Sequence, residues 1–431
     1  MKRAVLFGMI GLWALGWVNT ASHLTEGPRA YRALIAQAEE YEQKSIYIRA
    51  IQSYEEALTY QPDSLDLKYR IAKLHLELGD EASYINHCES IMEEYGYPLE
   101  IAAEVTDYYL EKERTQSAIS FIRQTLKAHP ESKEMKERFE KVRYTYQKKY
   151  LSYEEIFPIY NGCAVYFQEG KYGVMRNDGR TILQNNWNET SVWSDDHKLI
   201  PVTGDDGAYY VNENGYRFEV PEETQKVEWL GPLNGNVAAA KINGKYGYID
   251  QRFHELSEFQ WDGATGIADN LGAVKKNERW ALIDGSGALL SDYIYEDVKV
   301  DVYGFGSTCG RMFVKQGGSF QMVNQKGEAV GDETFEDAVP FMSSQPTAVK
   351  KNGKWGFVDV DGAWVIEPQY ENAEGFSDGL APVQTGEKWG FINQENELVI
   401  AAEFYGAHSF YGGFAPVKDG NTWTMIELNV H

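Results

Sequence analysis

Residues 353–359 read Gly353-Lys354-Trp355-Gly356-Phe357-Val358-Asp359; a turn at Val360-Asp361-Gly362 follows, and then Trp364-Val365-Ile366-Glu367-Pro368-Gln369-Tyr370-Glu371. Apolar and polar residues alternate on both sides of a turn that ends in glycine, which is the pattern of a half-buried β-hairpin. The stretch is copied immediately downstream. Phe376-Ser377-Asp378-Gly379-Leu380-Ala381-Pro382-Val383 leads into Glu387-Lys388-Trp389-Gly390-Phe391-Ile392-Asn393. Aligned on the first aromatic of the hairpin, the same place is held by Tyr172, Ala208, Tyr246, Trp280, Phe320, Trp355, Trp389 and Trp423, at spacings of 36, 38, 34, 40, 35, 34 and 34 residues. A period this constant over eight units is the signature of a repeat architecture, in which each unit buries its apolar face against the next.

The register extends to both ends of the array. Tyr153-Glu154 precedes Gly162-Cys163-Ala164 as Tyr370-Glu371 precedes Gly379-Leu380-Ala381, so the array spans 153–430. After Trp423-Thr424-Met425-Ile426 the last unit is expected to lack its outer strand. Eight units suit a closed ring, but that missing strand leaves no evident closing partner, so a β-propeller and an open β-solenoid both stand. The repeated phrase resembles the WG-repeat family, most sharply around Tyr246, Trp355 and Trp389, where Gly247, Gly356 and Gly390 follow the aromatic. The other units have drifted from the Trp-Gly pair. Tyr172, Tyr246, Trp280, Phe320, Trp355, Trp389 and Trp423 read as a structural core, each a wedge between neighbouring sheets. The glycine beside it suits close approach by another backbone.

Upstream the period changes. From 30 to 150 apolar residues recur at three- and four-residue spacing, punctuated by Pro62, Gly79, Pro98 and Pro130. Ala50, Tyr54, Ala57 and Pro62 return in phase as Ala118, Ile122, Thr125 and Pro130, two 34-residue periods later. This segment resembles the tetratricopeptide repeat family, with units at 31–64, 65–98 and 99–132 and a capping helix expected over 133–150. Gln37-Ala38 stands where that family usually has Leu-Gly. The resemblance implies a concave groove lined by the first helix of each unit, with Arg32, Glu39 and Ala103 on its face. Ile35, Tyr69, Lys73, Leu76, Asp107 and Leu110 are the candidate contacts for a protein or peptide partner.

Met1-Lys2-Arg3 followed by an apolar run over 4–18 marks residues 1–21 as a signal anchor or a cleaved signal peptide. Lys2 and Arg3 before the run leave the remaining chain outside the cytoplasm of a bacterial-type cell, tethered to the membrane or secreted after cleavage.

The charge excludes one class of partner. With 41 basic and 65 acidic side chains the formal net charge is −24, a field that repels nucleic acid. Three widely separated cysteines build no disulfide framework or CxxC motif, and the eight histidines show no HxH or HExxH spacing. Asp359-x-Asp361-Gly362 lacks the remaining ligands of a calcium loop and reads as a turn. The Gly304–Gly310 stretch, with Ser307 and Cys309, lacks the Lys-Ser/Thr pair of a phosphate loop and reads as a long connection. No catalytic, metal or cofactor residue is therefore assigned. The fold class is α+β multidomain, a helical repeat array followed by an all-β repeat domain. Such surfaces point to a non-enzymatic, membrane-tethered, extracytoplasmic scaffold; a lectin-like or cell-wall-polymer-binding protein is the alternative and a hydrolase the third.

Overall fold

The computed structural model describes residues 27–193, 198–219 and 226–430, so the expected signal segment at 1–21 lies outside the described residues. The chain divides into two compact units, Met1–Val142 and Arg143–His431.

The first unit is helical: α1 over 27–43, α2 Tyr47–Leu58, α3 Leu65–Glu77, α4 Glu81–Tyr95, α5 Leu99–Glu111, α6 Thr115–Ala128 and α7 Lys133–Arg143. Ala50, Ala57, Ala72, Ala102 and Ala118 are fully buried, the small residues that let neighbouring helices approach closely. The joints follow from local chemistry. Asp80 accepts the Ser83 N–H at the start of α4, and Gly96 ends that helix at φ 69°, a left-handed conformation that glycine adopts without a Cβ penalty. Among the described residues no helix is long and apolar enough to cross a membrane.

The expected capping helix over 133–150 is corrected at its end. Helix α7 stops at Arg143, and Tyr146–Lys148 form a strand, β1. Thr145 and Tyr146 are better strand than helix formers, and the open edge of Thr422–Leu428 offers them a ladder: Tyr146, Gln147 and Lys148 pair antiparallel with Leu428, Glu427 and Ile426. This also corrects the expectation that the last unit lacks an outer strand. The strand comes from the far end of the β unit.

Among the described residues the β unit contains eight sheets, blades 1 to 8, at 155–187, 189–211, 229–249, 263–283, 297–335, 337–370, 372–404 and 406–428. Blade 8 takes β1 as its fourth strand, while Met425, Phe414 and Trp423 of that blade pack against Ile156, Ala164 and Tyr166 of blade 1. The ring is therefore closed, and the unit is an eight-bladed β-propeller.

The deepest core position lies two residues beyond the repeated aromatic. Val174, Tyr210, Tyr248, Leu282, Met322, Phe357, Phe391 and Met425 are all 2% exposed or less. Of the repeated aromatics, Phe320 and Trp355 are buried, whereas Tyr172, Tyr246, Trp280, Trp389 and Trp423 are half-buried at the edges of the core. Ala208 is buried too, but has no ring to contribute.

The glycine of the Trp-Gly pair has a specific task. At Gly390 a Cβ would meet the Ile400 carbonyl oxygen at 2.6 Å and the Ala402 nitrogen at 2.8 Å; at Gly356 it would meet the Ile366 oxygen at 2.6 Å. In both blades the outer strand bulges at this point, and its backbone fills the space a side chain would need. Gly390→Ala is therefore expected to cost about 1–3 kcal/mol by overpacking, read as a lower urea midpoint. An unchanged midpoint would show that the bulge can withdraw freely.

The long connection after Val298 in blade 5 runs inward. Tyr303 donates its hydroxyl proton to the Pro158 carbonyl, and Phe305 stacks on Tyr160 with ring centroids 5.6 Å apart and planes 10° apart, both contacts reaching blade 1. Gly266 of blade 4 donates its N–H to the Gly304 carbonyl at 2.8 Å. Blades 1 and 5 are opposite members of an eightfold ring, so this connection crosses the middle. Ser307 is buried within it, and burial pushes the Cys309 thiol up to about 11, far from a reactive thiolate.

Candidate functional site

On the helical unit, three first helices are joined by charge. Arg70 of α3 reaches back to α1, with Nε 3.0 Å from Glu42 Oε2 and Nη1 3.3 Å from Glu39 Oε1. Lys73 of α3 reaches forward to α5, its Nζ 2.7 Å from Glu104 Oε2. Arg138 of α7 grips Asp107 of α5 with two bonds, Nε to Oδ1 at 3.0 Å and Nη2 to Oδ2 at 2.7 Å. A ladder of ion pairs thus crosses from α1 to α7. These side chains are partly exposed, so each rung adds only about 0–1 kcal/mol to stability.

Tyr69 completes the middle rung. Its hydroxyl donates to Glu104 Oε2 at 2.7 Å, and Lys73 Nζ lies 4.6 Å from the ring centroid. Burial and the bond to Glu104 push the Tyr69 hydroxyl well above its ordinary pKa. Burial would raise Glu104, but the bonds from Lys73 and Tyr69 outweigh it and hold its carboxyl below the usual range. Beside this cluster Leu76 and Leu110 are partly buried against Tyr84, Cys88 and Ala102, while Ile35 packs on the separate cluster around Ala38 and Ala50. Tyr69, Lys73, Leu76 and Leu110 therefore gather around one apolar centre; Asp107 belongs to the next rung, and Ile35 stands apart.

Two clefts lie on the helical unit, the first of them at the ladder. One, of ≈550 Å³, is lined by Glu39, Glu42, Arg70 and Leu74; the other, of ≈380 Å³, lies between α4, α5 and α6 beside Tyr97, Tyr109 and Gln124. Their linings are mostly polar, suited to reading a peptide by hydrogen bonds and charge.

The residues that the sequence reading missed are Glu42, Arg70, Glu104 and Arg138. A signal for three of them was present, since positions 70, 104 and 138 are one repeat apart and carry Arg, Glu and Arg, alternating in sign. Positions 73, 107 and 141 do the same with Lys, Asp and Lys. Among the described residues, no three His, Cys, Asp or Glu side chains converge as a metal site.

Comparison with known proteins bears on both units. The family model described as WG containing repeat matches residues 246–280, 355–389 and 389–423. Tetratricopeptide repeat protein 21B of Xenopus laevis is 30% identical over 95 residues, 22% of this chain, and the match spans only 7% of the length of that relative. Among solved structures, Hsv2p of Kluyveromyces lactis aligns over 65% of this chain and 96% of its own, at 9% identity and a TM-score of 0.37. The CNH domain of AfRom2 aligns over 67% of this chain and 97% of its own, at 9% identity and a TM-score of 0.31.

Proposed function

From a chain that carries WG-type repeats in an eight-bladed propeller behind a tetratricopeptide-like array, we infer a non-enzymatic scaffold that binds protein or peptide partners. The observation that supports it best is the Tyr69–Lys73–Glu104 cluster. Its hydrogen bonds are made within the face itself, so a partner segment that brings its own charge can exchange them one for one, beside Leu76 and Leu110, without leaving a charge unpaired. Tethering by residues 1–21, with the rest of the chain outside the cytoplasm, belongs to the same proposal and is supported by the Lys2-Arg3 pair before the apolar run.

The test compares partner capture from solubilised membranes by the intact chain and by a Tyr69→Ser/Leu110→Ser double variant. Circular dichroism should show an unchanged helical unit, while capture is expected to fall about tenfold or more, the loss of two buried apolar contacts at an interface. Unchanged capture would move the binding role to the propeller. Capture of wall polymer instead of protein would favour the carbohydrate-binding reading, for which Tyr216, 72% exposed, is the supporting observation on the β unit.

A further inference from the structure

The propeller contains a cavity of ≈490 Å³, walled by residues of blades 1 to 3 and by residues 300–304 of the crossing connection. This is the size of pocket that encloses a small organic molecule. Its aromatic lining comes from Phe157, Tyr172, Trp229 and Tyr303, and its carboxylates are Glu189 and Asp301; among the described residues no Lys or Arg lines it.

The lack of a cation here breaks the pattern of the ring. In most blades the residue paired with the repeated aromatic is basic: Lys241 faces Tyr246, Lys275 faces Trp280, Lys315 faces Phe320, Lys350 faces Trp355 and Lys418 faces Trp423. In blades 1, 2 and 7 the place is held by Phe167, Thr203 and Gln384, and of these three blades 1 and 2 line the cavity. The same substitution leaves an acid at the exposed rim without a cation. Asp297 and Asp337 open blades 5 and 6 opposite Lys315 and Lys350, whereas Glu189 opens blade 2 opposite Thr203 and has no ion pair among the described residues. Ring faces tell the same story. Lys241 lies over Tyr246, Arg217 over Tyr209 and Lys299 over Phe320, but among the described residues no Lys or Arg lies over any of the four cavity aromatics.

Two polar groups in the lining are also incompletely used. Ser191 Oγ is shut off from solvent with no hydrogen-bond partner among the described residues. Asp301 Oδ1 accepts the N–H groups of Tyr303 and Phe305 at 2.9 Å each, which fixes the connection, while among the described residues no bond to Oδ2 accompanies them. Burial raises the Asp301 carboxyl to about 6, the direction expected for an acid with no cation beside it.

We propose that this cavity binds a small alkylammonium ion, whose charge takes the place of the missing lysines between Glu189 and Asp301 and whose methyl or methylene groups lie against the aromatic faces. An ammonium over desolvated rings and beside unpaired carboxylates gains from both, whereas an uncharged ligand of the same shape gains only the burial. This proposal does not rest on the scaffold reading of the helical unit.

The probe is choline, titrated calorimetrically into the full chain, alongside the uncharged alcohol in which carbon replaces its nitrogen. Choline is expected to bind at least about tenfold more tightly than that alcohol, which corresponds to the value of a desolvated cation–π contact. Asp301→Asn keeps an oxygen to accept from Tyr303 and Phe305, so the connection should remain in place while choline affinity drops about tenfold; Glu189→Gln at the rim should lower it less. Trp229→Leu should weaken choline binding without abolishing it. Equal binding of choline and its neutral counterpart, or unchanged affinity in Asp301→Asn, would overturn the proposal. So would binding of methyl glucoside in place of choline, which would make the cavity a sugar site, and so would the absence of choline binding at millimolar concentration.

Discussion

A chain in which residues 145–149 are replaced by Gly and Ser is expected to lose roughly 3–5 kcal/mol of propeller stability, because the replacement removes the side-chain packing and side-chain bonds of β1 and weakens its preference for the extended form, and so loosens the backbone bonds it makes. The bonds are specific. Beyond the pairing of Tyr146–Lys148 with Ile426–Leu428, Lys149 donates its N–H to Met425 at 2.8 Å, Asn429 donates to the Thr145 carbonyl at 2.9 Å, and Thr424 Oγ1 donates to the Lys149 carbonyl at 2.8 Å. Tyr146 also packs on Phe404 and donates its hydroxyl to Glu403, so the replacement uncovers part of the blade 7 to blade 8 core. Urea denaturation followed by tryptophan fluorescence reads the loss, and limited proteolysis should cut first within blade 8. If stability and cleavage pattern were unchanged, β1 would be an ornament on a ring that the blades close by themselves.

Phe391→Ala is expected to cost about 3–5 kcal/mol, and Trp389→Ala clearly less. Phe391 has no exposure and its ring lies 4.8 Å from that of Phe410 and 6.4 Å from that of Phe404, so truncation leaves a cavity between blades 7 and 8. Trp389 is half-buried at the edge of the same cluster, where solvent can fill part of the vacated space. Equilibrium denaturation of the two variants side by side decides the order; a larger loss for Trp389→Ala would make the tryptophan the wedge between blades.

That ordering shows what was legible in the sequence. Trp389 and Gly390 announce themselves because each does something few residues can: the indole covers an edge, and glycine alone leaves room for the bulged backbone of Ile400–Ala402. Residues with narrow tasks repeat visibly. The deeper position at 174, 210, 248, 282, 322, 357, 391 and 425 is filled by Val, Tyr, Leu, Met or Phe, because a core accepts any apolar shape whose neighbours compensate. It carries the burial but leaves no signature. Strand β1 was hidden for another reason. Three residues have no measurable period, and their partner, Leu428, lies 282 positions away. The ladder on the helical unit was half legible: Tyr69, Lys73 and Asp107 follow from the repeat resemblance, but their pairing with Glu104 and Arg138 depends on comparing charges between repeats rather than along one helix face. The cavity in the propeller was illegible, since it is marked by lysines that blades 1 and 2, like blade 7, do not have.

The antiparallel closure has a mechanical consequence. Tyr146, where the chain enters the propeller, is paired with Leu428, where it leaves, so the two points at which tension would reach the ring lie side by side at the same end of one strand pair. A pull on those points loads the pair as a zipper, one hydrogen bond at a time, and not in shear, where all the bonds would share the force. Opposed tension on the two ends of the chain would thus open the ring at blade 8 well before it strained the cores between blades 1 and 7, and relaxation would let the same short strand re-seat.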